Sequence, residues 1–136
     1  MADCLFCKIA NKDIKAEIIY ENENCVGFLD INPHSMGHTV VIPKRHSENI
    51  LDIDDKDLQN LCLTVKKVTV MLQKALNPDG FTIGINHGEL AGQVIKHIHV
   101  HIMPRYKGDK GGSIHSVVLS PLEKTVEEIK EIIIKS

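Results

Sequence analysis

Tryptophan is absent from this sequence and aromatic residues amount to only 4%, too few for a stacking platform on single-stranded nucleic acid. Positive charge is not in excess either. Sixteen Lys and Arg stand against eighteen Asp and Glu, a net charge of −2, whereas a broad grip on a nucleic-acid backbone needs a basic surface. No nucleic-acid partner is expected, and any phosphate is bound in a local pocket. No apolar run approaches the roughly 20 residues that cross a bilayer, so no membrane partner is expected. The N-terminus lacks an apolar stretch behind a basic flank, which reads as no signal peptide. The expected location is therefore cytoplasmic. In that reducing setting Cys4, Cys7, Cys25 and Cys62 are not expected to pair as disulfides. Repeats, low-complexity tracts and linkers are lacking too, so one domain over residues 1–136 is expected. The 43% apolar and 25% charged residues fit an ordinary globule.

What is present is periodic. Two apolar runs, Glu17 to Tyr20 and Cys25 to Leu29, flank a polar turn and read as a hairpin. Asn32-Pro33 breaks the second strand. Gly37 to Ile42 predicts a third strand, closed by Pro43. From Asp54 to Leu76, apolar residues Leu58, Leu61, Cys62, Val65, Val68, Leu72, Ala75 and Leu76 recur at helical spacing. Acidic residues open that helix and Asn77-Pro78-Asp79-Gly80 stops it. Phe81 to Asn86 and Lys96 to Met103 predict two more strands, and Leu122 to Ile134 a short helix. The expectation is an α+β domain: a five-stranded antiparallel sheet with two helices. Cys25 and Cys62, among apolar neighbours, read as small core residues.

The segment that carries chemistry is His97-Ile98-His99-Val100-His101-Ile102-Met103. In a strand, successive side chains point to opposite faces. Ile98, Val100 and Ile102 then face a core, and His97, His99 and His101 line the other face, roughly 7 Å apart. Such a row reads in three ways: solvated histidines, a three-imidazole zinc site, or nucleophilic chemistry. The loop Asn86-His87-Gly88-Glu89-Leu90-Ala91-Gly92-Gln93 just upstream favours the third, because a turn-rich loop presents backbone N–H groups that suit phosphate oxygens. Neutral imidazole, with a pKa near working pH, is a competent nucleophile towards phosphorus.

This segment resembles the motif of the histidine-triad family, in which three histidines alternate with apolar residues, and every position fits. The resemblance extends over Ala91-Gly92-Gln93, Gly37 to His46, Phe28 to Ile31 and Cys4 to Ile9, roughly residues 4 to 106. It implies the five-stranded fold and a homodimer with one sheet running across both subunits. It also implies nucleotidyl hydrolysis or transfer through a phospho-histidine, releasing a nucleoside monophosphate. By that resemblance His99 attacks the α-phosphate, and His101 and His38 contact phosphate and orient the imidazole. Backbone donors near Gly92, Gln93 and Val94 stabilise charge on the oxygens. Asp30 accepts the ribose hydroxyls, Asn86 sits beside sugar and phosphate, and Phe6, Ile9, Phe28, Leu29 and Ile31 form an apolar slot for a purine base. Val94 departs from members that carry a serine there. His34, His87 and His115 have no motif behind them and read as solvated loop residues. The favoured substrate is a nucleoside 5′-phosphoramidate or a related nucleotide with a P–N or P–O bond to cleave. A dinucleoside polyphosphate hydrolase and a nucleotide-binding regulatory module are the alternatives.

Cys4 and Cys7 form a C-x-x-C pair without the strand and helix pattern of a thioredoxin-like redox site. Four-coordinate structural zinc needs two further ligands, commonly histidine. His46 and His97 are the candidates, and some bacterial-type members of the family carry this Cys/Cys/His/His set. Structural Zn2+ is thus the one cofactor expected, with no organic cofactor. A reduced, metal-free thiol pair is the competing reading.

Overall fold

The computed structural model describes residues 3–136. Its elements run in chain order as α1 (Leu5–Ala10), β1 (Ile18–Glu21), β2 (Cys25–Leu29), β3 (Thr39–Pro43), α2 (Asp55–Leu76), β4 (Gly80–Gly84), β5 (Val100–Arg105) and α3 (Val126–Lys135). The five strands form one sheet in the order β1-β2-β3-β5-β4, every pair antiparallel. None of the described helices is long and apolar enough to cross a membrane.

Strand alternation divides the core in two. Cys25, Val41, Val100 and Ile102 turn to one face, where they pack with Ile98 against Leu61, Val68 and Leu72 of α2. Burying a side chain of that size stabilises by about 1.5–3 kcal/mol. Asp54 caps α2 by accepting the Asp57 N–H at 2.8 Å. Asn77, in the left-handed region at φ 47°, ends it. On the opposite face Val26, Phe28, Val40 and Ile42 pack against Phe6, Ile9 and Ala10 of α1. Helix α1 covers the β1–β2–β3 side only. The histidines emerge beside it.

Three differences from the sequence expectation stand out. The described residues form three α-helices rather than two, because α1 is a turn and a half long and shows no apolar repeat. Ladder pairing of β5 begins at Val100, not Lys96. Its neighbour β3 ends at Pro43, and the segment before Val100 bonds instead to the loop beyond, the Ile98 N–H donating to Ser47 O at 2.8 Å. Cys25 is buried, but Cys62 is exposed on the outer side of α2.

Candidate active site and metal centre

His99 is 7% exposed, and its Nδ1 lies 2.7 Å from the carbonyl oxygen of His97. A carbonyl can only accept, so Nδ1 carries the proton and Nε2 keeps the lone pair. Burial lowers the pKa of His99 below that of an ordinary imidazole, although the bond to His97 and the charge of Asp30 oppose it. The ring is thus held neutral with a defined basic nitrogen. The edge of Phe6 packs against it, with ring centroids 5.0 Å apart and planes at 83°.

Two more histidines form a directed chain beside it. The His34 backbone N–H donates to His38 Nδ1 at 3.1 Å, which puts the remaining proton of neutral His38 on Nε2. That nitrogen lies 3.0 Å from His101 Nδ1, so His101 accepts there and carries its own proton on Nε2. A donor therefore stands next to the free lone pair of His99, with the His99 and His101 ring centroids 5.0 Å apart. Burial holds His101 down to about pH 4, helped by the neighbouring His99 and His38. Burial likewise lowers His38, against the pull of Asp30. Asp30 Oδ2 is 3.6 Å from His38 Nε2, while Oδ1 accepts the Asn32 N–H at 2.9 Å. Asp30, His38 and His101 converge closely enough to suggest a second cation site. The protonated Nε2 of His38 is a poor ligand, and the cluster serves as a hydrogen-bond relay.

The structure places the remaining sequence-derived residues unevenly. Phe6, Ile9 and Phe28 share one buried cluster. Leu29 is half-buried and Ile31 is 85% exposed, and neither is part of that cluster. His38 is 3% exposed and its Nε2 meets the His101 ring. Two of the three loop donors bond within the loop itself. The Gly92 N–H donates to Glu89 O and the Gln93 N–H to Gly88 O, both at 3.0 Å, so these two close the turn instead of facing outward together. Gly92 sits at φ +105°, and the Asn86 amide lies 3.4 Å from where a Cβ would stand. That folds Asn86 onto the loop. The buried Gln93 side chain braces the loop, accepting from the Gly88 N–H and donating to Glu48 O. Val94 is 84% exposed.

Sequence reasoning missed His34, read as a plain loop residue; its backbone N–H fixes the tautomer of the relay. It also missed the Pro43 carbonyl, which accepts from His97 Nε2 at 2.8 Å. No side-chain pattern announces either backbone group.

That second bond bears on the metal centre. With its proton on Nε2, His97 presents the lone pair of Nδ1, which lies 3.3 Å from Cys4 Sγ and 3.5 Å from Cys7 Sγ. His46 Nδ1 is 3.3 Å from Cys7 Sγ. All four ligand atoms fall within 4.8 Å of one another. Around a tetrahedral zinc ion, sulfur and nitrogen ligands stand about 3.5 Å apart, from bond lengths near 2.3 and 2.0 Å. The donor set, the spacing and the carbonyl that fixes the histidine tautomer all fit such an ion. Burial pulls His97 down to about pH 4 and, with Cys4 alongside, raises the Cys7 thiol.

An antiparallel five-stranded sheet with this histidine row on its open face defines a histidine-triad fold. The chain belongs to the HIT domain family, which residues 11–108 match. It is 45% identical over 131 residues to an uncharacterized HIT-like protein of Methanocaldococcus jannaschii, covering 93% of this chain and 98% of that one. It is 36% identical over 129 residues to the adenosine 5′-monophosphoramidase of Schizosaccharomyces pombe, covering 93% and 90%. Among solved structures, one from Streptococcus mutans superposes with a TM-score of 0.87 at 37% identity, covering 99% of this chain and 83% of that one. A Zn-bound histidine triad family protein from Mycobacterium smegmatis gives 0.76 at 39% identity, covering 80% and 79%.

Proposed function

We propose that this protein is a nucleotide hydrolase of the phosphoramidase type, cleaving nucleoside 5′-phosphoramidates through a nucleotidyl-histidine intermediate. The observation that carries the reading is the 2.7 Å bond from His99 Nδ1 to His97 O, which leaves Nε2 as the only basic nitrogen of a neutral ring beside the His101 donor. The relative named adenosine 5′-monophosphoramidase supports the substrate class.

The chemistry follows from these positions. His99 Nε2 attacks the α-phosphorus, forming an N–P bond as the bond to the amine breaks. The amine departs with the bonding electron pair and one proton from water. A second water adds its oxygen to phosphorus and returns a proton to the hydroxide left by the first, the N–P bond breaks, and a nucleoside monophosphate and neutral His99 remain. His101 Nε2–H donates to a phosphate oxygen where charge builds up, the kind of fixed donor worth about 3–4 kcal/mol in acyl-transfer enzymes. The Val94 N–H, which has no partner among the described residues, is the loop donor left to assist. Asp30 binds the ribose hydroxyls, Asn86 flanks the sugar, and Phe6, Ile9, Phe28, Leu29 and Ile31 enclose a purine.

Cys4, Cys7, His46 and His97 would hold Zn2+. A closed four-ligand site supplies structural stiffness rather than a bound water. We include in the proposal a homodimer, as the resemblance implies.

One observation favours a phosphoramidate over a dinucleoside polyphosphate. A cavity of about 520 Å3 lies beyond His101, lined mainly by apolar surface that includes Met103, Ile114 and Val117. Arg105 at its wall is already committed to Asp109, at 2.8 and 2.9 Å, and to Thr82. That leaves the exposed Lys110 as the cavity's only unengaged cation among the described residues, too little for a chain of phosphates.

The test is steady-state hydrolysis of an adenosine 5′-phosphoramidate ester by the wild type and by His99→Ala, with zinc quantified in both. Turnover that collapses while zinc content holds is the expected result. Full activity in the variant sinks the mechanism in favour of a binding module, and joint loss of zinc and activity makes the three histidines a metal site.

A further inference from the structure

His97 belongs to two sites at once. Its ring is fully buried and gripped at both nitrogens, Nε2 by Pro43 O and Nδ1 by the sulfurs of Cys4 and Cys7. Its own carbonyl is the group that holds the Nδ1 proton of His99. A side chain fixed at both ends fixes the backbone that carries it, so the direction of that carbonyl depends on the cluster. Phe6 makes a second connection. It lies between the two cysteines on α1 and packs edge-on against both His99 and His97, with centroids 5.0 and 6.0 Å away. Six residues are far too few for a helix to persist unaided. Helix α1 is anchored by the cysteines at its start and by the burial of Phe6, Ile9 and Ala10. The two groups that fix the His99 ring therefore both hang from Cys4, Cys7, His46 and His97.

We propose that the Cys4–Cys7–His46–His97 cluster, with its metal ion, positions the nucleophile, setting the tautomer and aim of His99 through the His97 carbonyl and the Phe6 ring. His97 and Phe6 are positioning residues: neither need touch the reacting phosphorus. The idea rests on His99 being the nucleophile, but it concerns the geometry of His99 and can be judged without turnover. It differs from a cluster that merely pins the N-terminal segment for base binding. Misplacing a nucleophile by about 1 Å costs on the order of 10²-fold in rate, whereas loosening the slot weakens binding.

The experiment compares the zinc-loaded protein, the chelator-stripped protein and zinc-loaded Phe6→Leu at a single pH of 8. Three quantities are read: the 15N imidazole shifts of His99, the dissociation constant of AMP, and kcat on an adenosine 5′-phosphoramidate. The loaded wild type is expected to show a single Nδ1–H tautomer. Stripping should mix the tautomers and lower kcat roughly 10–100-fold, the usual effect of losing a supporting contact around a metal site, with AMP affinity changed less than the rate. Adding Zn2+ back should restore all three. Phe6→Leu retains every ligand, so it should keep its zinc yet lower kcat by a larger factor than it weakens AMP, which covers the case of a stripped chain that unfolds. An unchanged His99 tautomer and kcat in a folded, stripped protein overturns the proposal, as does a rate loss matched by an equal loss of AMP affinity. Absence of turnover in the loaded wild type would overturn the phosphoramidase reading instead, with the imidazole shifts still deciding the positioning role.

Discussion

At the scale of single residues, the site is a set of proton placements. His38 acts by donating Nε2–H to His101. In His38→Ala that acceptor is left without its donor, the tautomer of His101 is no longer fixed, and the Nε2–H proposed to meet phosphate is lost part of the time. The expected outcome is a fall in kcat of roughly tenfold or more, in the range of such supporting contacts, while zinc content stays at the wild-type value. Buried imidazoles also make stability depend on pH. Folded His101 titrates at about 4, whereas an unfolded histidine titrates near 6.5. Between those values the unfolded chain takes up a proton that the folded chain refuses, so stability is full above about 6.5, declines as pH falls through the window and levels off below 4. Urea midpoints from pH 7 to 4.5 should fall, and fall less steeply in His101→Gln. Equal slopes in the two proteins would show that His101 does not contribute.

At the scale of elements, the packing beneath the histidine strand is conventional and therefore legible. The 3.6-residue stripe of α2 predicts Leu61, Val68 and Leu72 in the core, where they lie. Leu61 is completely buried, so Leu61→Ala should destabilise by about 2–5 kcal/mol, read from urea unfolding. The alternation around His97 to Met103 likewise assigns Ile98, Val100 and Ile102 to one face and the histidines to the other. What stayed hidden had no side-chain signature. Helix α1 is defined by its cysteine cap and by what it covers, not by a repeat. The start of β5 depends on where β3 runs out of partners, at a proline that also gives its carbonyl to His97. His38 was legible as a site residue through its resemblance to the family motif, but its place behind His101 follows from the turn His34 to Gly37. Cys62 shows the converse: its position in the apolar stripe is right for a core residue, yet it sits at the stripe's margin and faces solvent.

At the scale of the molecule, the C-terminal arm is the part a single chain leaves without packing. Thr125 and Glu128 form a complete capping box at the start of α3, so the sequence specifies this helix carefully. None of its residues is buried, and Val126, Ile129, Ile132, Ile133 and Ile134 are all exposed. Ten residues fall below the roughly 12–15 at which an isolated helix becomes even marginal in water. Exposed aliphatic side chains at this density are the mark of an interaction surface. The outer edge of β4, at the end of the sheet order, offers the pairing needed for one sheet to run across two subunits. Both features fit the proposed homodimer. In sedimentation at micromolar concentration the full chain should therefore have twice its 15.2 kDa mass. Replacing Ile129 and Ile133 with lysine should shift the equilibrium towards monomer and lower the helical content contributed by α3. If the double variant sediments as the wild type does, α3 is not part of the contact, and the dimer is held elsewhere, as through an edge of the sheet. A wild type that sediments at 15.2 kDa at every concentration removes the dimer from the proposal.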